Sequence, residues 1–301
     1  MRKSRFTEEQ MVKILREADA ASVPEVAKKH GVSEKTVYGW PARITYCPLY
    51  GRSVFVSMAI FAAGISSNGM EHATARYMDL IVFDVDGTLV DSQVMISNGV
   101  AMTFEDEGLA PPDRSSVLSI IGLSLTEAMH RLAPGANDEK AARLVAGYRA
   151  NLHRTHSNSM PTEQLYPGAV DCLQRLSRRP DTLLGIATGK SRRGVNAMIE
   201  MHKLGGLFVT VQTADEHPSK PHPAMLLAAR AELGVAPERT VMIGDSSYDM
   251  MMARAAGAFA LGVTWGYQSG RSLEAAGAHR LVGDYAAIDA AVEDFLAPAH
   301  A

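Results

Sequence analysis

Asp84 and Asp86 stand two residues apart at the end of an apolar run, Leu80-Ile81-Val82-Phe83, and Gly87-Thr88 follow. If the run is a strand, its period of two aims both carboxylates the same way, and Gly87 allows a sharp turn and close approach of the backbone to an anion. Two like charges so close are costly unless a cation or a shared proton relieves them. A divalent metal serves both needs here. It offsets the repulsion, and it masks the negative charge of an anionic substrate from an attacking carboxylate.

Further along, four more residues could join them. Thr188 ends a second apolar run, Leu184-Gly-Ile-Ala-Thr188-Gly189-Lys190, and its hydroxyl can donate to a phosphoryl oxygen. Lys220, in Ser219-Lys-Pro-His-Pro223, could neutralise charge that develops on a transferring group. Asp245, in Val241-Met-Ile-Gly-Asp245-Ser-Ser-Tyr-Asp249, offers a hard oxygen ligand for magnesium, or an N-cap for the helix that follows. Asp249 is expected behind them, holding Lys220 or a metal-bound water.

Strands must deliver these residues. Short apolar runs at Leu80–Phe83, Leu183–Ala187, Leu207–Val211, Val241–Ile243 and Phe259–Val263 read as buried parallel strands. Helical stretches at Ala169–Leu176, Ala224–Leu233 and Met250–Ala256 alternate with them, which implies a parallel sheet with right-handed crossovers. In such a sheet, ligands sit outside the carboxyl ends of the strands. Between Asp91 and Gln164 no strand is expected, and helical segments such as Val94–Glu107 and Glu139–His153 read as an all-helical insertion.

Taken together, these runs resemble the four ordered motifs of the haloacid-dehalogenase-like (HAD) phosphatases, over Met78 to about Leu296. The resemblance implies an α/β fold: a doubly wound parallel sheet with a small helical cap inserted after the first strand. It also implies a core at residues 78–92 and 165–301 and a cap at 93–164. By position it makes Asp84 the nucleophile and Asp86 the acid and then the base. Mg2+ would be held by Asp84, the backbone carbonyl of Asp86, and Asp245. Thr188, Gly189 and Lys220 would bind the phosphate. The helical insertion, Tyr166-Pro-Gly-Ala169 and Gly262-Val-Thr-Trp-Gly-Tyr267 resemble the phosphoglycolate phosphatase branch, so a small phosphorylated metabolite is the expected partner. Ile121-Gly-Leu-Ser124 is the expected cap loop over the site. A phosphomutase of the same fold shares these motifs.

The N-terminus has another texture. Ser4 to Trp40 resembles the helix-turn-helix start of insertion-sequence transposase accessory proteins, cut short where Pro41 ends its third helix. Residues 1–40 therefore read as a truncated helical segment and 41–77 as a linker. With eight Lys and Arg against six acids in residues 1–40, phosphate contacts have little support, and a DNA-binding regulator is the weaker alternative. The chain's net charge of -3 gives no push toward nucleic acid or acidic membranes. The apolar stretch Ser53–Ile65 is well short of the roughly 20 residues that a membrane span needs. Two cysteines make no disulfide framework, and a cytoplasmic location is expected.

Overall fold

In the computed structural model, residues 23–32, 78–157 and 163–296 are described. The chain divides into two compact units, Met1–Ala75 and Arg76–Ala301. In the first, the described element is helix α1 (Val23–His30). The start of the expected N-terminal segment, its third helix before Pro41 and the apolar stretch Ser53–Ile65 lie outside the described residues.

The second unit is built on six parallel strands. In chain order they are β1 (Asp79–Phe83), β4 (Thr182–Thr188), β5 (Phe208–Thr213), β6 (Thr240–Gly244), β7 (Phe259–Val263) and β8 (Arg280–Val282). Their order across the sheet is β5-β4-β1-β6-β7-β8, with β1 paired on both sides. The continuous apolar runs follow from burial on both faces. Alternate residues of β1 serve alternate faces. Ile81 and Phe83 join a core with Leu184, Ile186, Val241, Ile243, Leu261 and Val263 of the neighbouring strands. Helices α6 (Ala169–Ser177), α7 (Arg192–Met201) and α11 (Ala286–Leu296) supply Leu173, Val195 and Val292 to that core. Leu80 and Val82, equally buried, point to the other face.

Three short strands escaped the sequence reading. β8 begins with the exposed Arg280 and is three residues long, so no apolar run marks it. A two-residue antiparallel pair, β2 (Val90–Asp91) with β3 (Gln164–Leu165), closes the base of the insertion. Strand β5 starts at Phe208 rather than Leu207 and runs on to Thr213.

Between β2 and β3 the described chain is helical: α2 (Gln93–Asp106), α3 (Arg114–Ile120), α4 (Leu125–Leu132) and α5 (Asp138–Ser157). Asp113 caps α3 by accepting from the Ser116 amide, and Ser124 caps α4 in the same way through Glu127. Val100, Phe104, Val117, Met129, Leu144 and Tyr148 form a core of its own for this insertion. The remaining helices are α8 (Ala224–Leu233), α9 (Ser247–Ala255) and α10 (Gly270–Ala275).

Every described sheet strand lies beyond Met78, so a chain beginning there is expected to fold by itself. Circular dichroism melting should give a transition within a few degrees of that of the full chain. A drop of more than about 4 °C, the scale of a ~1 kcal/mol loss in a domain of this size, would show that residues 1–77 have become part of the fold.

Candidate active site

The chain leaves β1 for β4 and β5 on one side, then returns to β6 on the other. The crevice at the carboxyl ends of β4, β1 and β6 is therefore the switch point where such sheets bind ligands. Asp84 follows β1, Thr188 ends β4 and Asp245 follows β6. Lys220 enters from the loop before α8. All four are at most 2% exposed.

Asp84 is fixed through its backbone, whose N–H donates to the Ile243 carbonyl at 2.9 Å. Lys220 Nζ stands 2.9 Å from Asp84 Oδ1 and 2.6 Å from Asp249 Oδ1. Lys220 thus pairs with Asp84 Oδ1, while Asp84 Oδ2, equally buried, has no partner among the described residues. Asp249 is oriented by its own helix: its Oδ2 accepts from the Ser246 amide at 3.1 Å and the Ser246 hydroxyl at 2.6 Å. Ser246 and Asp249 form a capping box at the start of α9, so Ser246, not Asp245, is the N-cap. A serine at that position frees Asp245 to face the crevice.

Asp245 is held between two turns. Its Oδ1 accepts from Thr88 Oγ1 at 3.0 Å and its Oδ2 from the Tyr267 amide at 2.8 Å. A Cβ on Gly87 would lie 2.3 Å from Asp245 Oδ2, and one on Gly266 would lie 2.2 Å from Asp245 Cβ. Gly87 also has a φ of +83°, a left-handed value that suits glycine. The turn is tied down in turn by the Thr88 carbonyl, which accepts from Trp265 Nε1 at 3.1 Å and from the Tyr285 hydroxyl.

Asp84, Asp245 and Asp249 bring one carboxylate oxygen each within 4.8 Å of one another. Three buried acids meet one buried ammonium. Burial, with Asp249 and Asp86 adding to it against Lys220, pushes Asp84 up to about 7. Burial, then Asp249 and Asp84, push Asp245 well above the usual carboxylate range. Burial disfavours the Lys220 ammonium, but Asp249 and Asp84 outweigh it and raise its pKa. The open Oδ2 of Asp84 and the residual negative charge suit a hard divalent cation such as Mg2+.

Asp86 turns elsewhere. Its carboxylate stands outside the acidic cluster and accepts from Lys190 Nζ at 3.0 Å, and Lys190 also bonds Glu163. Thr188 Oγ1 accepts from the Lys190 amide at 3.2 Å. Gly189 lies under the insertion: a Cβ there would be 2.3 Å from the Leu123 carbonyl. The Ser124 amide donates to Ser219 Oγ at 2.8 Å. The loop Ile121–Ser124 thus rests on the turns that carry Gly189 and Lys220. A cavity of about 220 Å³ opens between insertion and core, lined by Asp86, Lys190, Ile96, Leu123, Met129 and Tyr148 among others. Glu163 and Lys190 were missed by sequence reasoning. Lys190 adjoins Gly189 and was visible there, whereas nothing local marks Glu163.

Comparison with known proteins agrees with this geometry. A family model described as haloacid dehalogenase-like hydrolase matches residues 81–263, and one described as transposase matches residues 1–45. A protein of Dickeya dadantii named "Probable phosphatase IndB" is 36% identical over 65% of this chain and 86% of its own length. A phosphoglycolate phosphatase of Pseudomonas putida is 29% identical over 69% of this chain and 78% of its own. Among solved structures, a hydrolase from Pseudomonas syringae superposes with a TM-score of 0.64 at 26% identity, covering 72% of this chain and 99% of that one.

Two outcomes follow for cation binding. A Gly266→Ala side chain would displace Asp245, so the rise in melting temperature on adding Mg2+, a linkage effect, should shrink sharply or vanish. An unchanged rise would show that Asp245 is dispensable for the cation. The pH dependence has a definite sign. The raised pKa of Asp84 means that its contribution to metal-free stability is present below the ordinary carboxylate value and is lost as pH rises through about 7. A cation reverses that loss, so Mg2+ should raise the melting temperature more at about pH 8 than at about pH 5.5.

Proposed function

The chain belongs to the haloacid dehalogenase-like hydrolase family, and on that footing we propose that it is a magnesium-dependent phosphatase acting on a small phosphate monoester of the phosphoglycolate type. The observation that carries this reading is the state of Asp84. It is a buried carboxylate whose Oδ1 pairs with a buried lysine and whose Oδ2 has no partner among the described residues, beside a second, separately held aspartate. A carboxylate so placed is a nucleophile rather than a structural anchor.

In this reading Asp84 attacks phosphorus and the bond to the ester oxygen breaks, leaving a phospho-aspartyl group. Asp86, protonated, gives its proton to the departing alkoxide, and as a carboxylate it then takes a proton from the water that attacks the phospho-aspartyl phosphorus. That second attack releases phosphate and restores Asp84. The hydroxyl of Thr188 and the backbone at Gly189 bind the phosphoryl oxygens, and Lys220 offsets the charge that develops on them. Asp84 and Asp245, with the Asp86 backbone carbonyl, would hold Mg2+, which supplies charge neutralisation for the anionic substrate. Asp249 fixes Lys220 through the 2.6 Å contact. The loop Ile121–Ser124 closes the crevice on the insertion side, and such a cover excludes water and limits substrate size. No described helix is long and apolar enough to cross a membrane. Cys172 is a free, buried thiol, which suits a reducing compartment, and we place the enzyme in the cytoplasm.

The tests are direct. Asp84→Asn is nearly isosteric but a very poor nucleophile, so turnover of p-nitrophenyl phosphate should vanish while the fold is kept. Near-normal turnover in a homogeneous preparation would sink the covalent mechanism. For Asp86→Asn, steady-state turnover should fall about 10²–10⁴-fold, the usual size of general acid–base help. A loss below about threefold, far under that range, would reassign Asp86 to metal binding alone.

A further inference from the structure

Lys190 is a largely buried cation with no place in the roles above. Its side chain is 12% exposed, and its Nζ joins two carboxylates that are themselves buried, Asp86 at 3.0 Å and Glu163. Burial lowers the pKa of an ammonium, but here Asp86 and Glu163 outweigh it and keep Lys190 charged. Its stem is located as firmly as its head. A Cβ on Gly194 would meet Lys190 Cγ at 3.0 Å, so the first turn of α7 is shaped to receive the stem. Ser191 caps that turn by accepting from the Gly194 amide at 3.2 Å. Glu163 sits immediately before β3, where the chain returns from the insertion to the core. The ammonium is therefore anchored on one side by a helix of the core and on the other by the return segment. Among the described residues it is the donor to the Asp86 side chain, and it engages Oδ1 alone. All three residues line the 220 Å³ cavity where a leaving group would lie.

We propose that Lys190, held by Glu163, is a positioning residue that fixes the Asp86 carboxyl by one oxygen and turns the other toward the leaving group. It acts on the proton transfers and not on the attack by Asp84. A carboxyl group on a short side chain can rotate, and proton transfer requires the donor within hydrogen-bond reach of the ester oxygen. A charged bond between buried groups is strong enough to select one orientation, and misplacing such a group by about 1 Å can cost 10²-fold in rate. The inference rests on Asp86 being the acid and base, and the experiment separates the two claims.

The measurement is kcat/KM, which reports the steps up to phospho-aspartyl formation, on two esters. One is p-nitrophenyl phosphate, whose phenolate leaves with little need of a proton. The other is the best alkyl substrate of the unaltered enzyme among 2-phosphoglycolate, glycerol 3-phosphate and ribose 5-phosphate, whose alkoxide leaves only with one. Asp86→Asn should lose more on the alkyl ester than on the aryl ester. Lys190→Met should show the same imbalance, with the alkyl loss exceeding the aryl loss by about tenfold, and Lys190→Arg should restore part of it. A structural defect would lower both rates together. Equal losses in Lys190→Met beside unequal losses in Asp86→Asn overturn the inference and leave the role of Asp86 standing. Equal losses in both variants overturn both. If Lys190→Met does not fold, because two buried carboxylates have lost their cation, Glu163→Gln decides. It keeps a hydrogen-bond acceptor for Lys190, and it should show a smaller imbalance in the same direction; equal losses there also overturn the inference.

Discussion

One ammonium shared between two buried carboxylates governs the centre of this molecule. Lys220 stands between Asp84 and Asp249, and all three are at most 1% exposed. Without Lys220 the crevice would hold three acids in an environment that disfavours even one, and breaking such a pair typically costs about 3–5 kcal/mol. Much else is arranged to keep that ammonium in register. The capping box of α9 fixes the Asp249 carboxylate that Lys220 bonds. The pairing of β1 with β6 sets Asp84 against Ile243, so that the two strand ends lie side by side. Stability and the proposed chemistry meet at the same atoms, because the residual negative charge that makes the site costly is also what a bound cation would offset.

A second constraint is space. Asp245 fits because Gly87 and Gly266 carry no Cβ, and Gly189 fits under the insertion for the same reason. These glycines come from three different turns; two leave room for the Asp245 carboxylate, and Gly189 leaves room for the backbone of the loop Ile121–Ser124. The insertion adds what the sheet lacks. An open crevice would leave Asp86 in water, whereas the loop Ile121–Ser124 and helices α2, α4 and α5 wall in a largely apolar cavity above it. Electrostatic interactions gain strength in such a place.

Much of this was legible along the chain. Apolar runs bounded by glycine and aspartate marked five of the six sheet strands, because strands buried on both faces cannot hide their composition. The Asp-x-Asp at the end of the first run pointed to anion chemistry by residue type and spacing alone. β8 went unread because three residues beginning with an exposed arginine carry no periodic signal. The β2–β3 pair is shorter still. Ser246 took the capping role offered to Asp245, a choice between adjacent residues that both suit an N-cap.

The sequence determined which residues stand at the strand ends, the order of the elements and the helical character of the insertion, since each follows from local composition and period. Tertiary structure decided which carboxylates share a cation. Asp249 turns to Lys220 and Asp86 to Lys190, though both acids belong to runs that looked alike as clusters of aspartate. It also brought Glu163 to Lys190 from the far end of the insertion, across 27 residues of chain. No local pattern encodes that meeting. It arises because a buried lysine takes whichever acceptors the packed elements bring within reach, and that is settled only when sheet, insertion and turns close on one another.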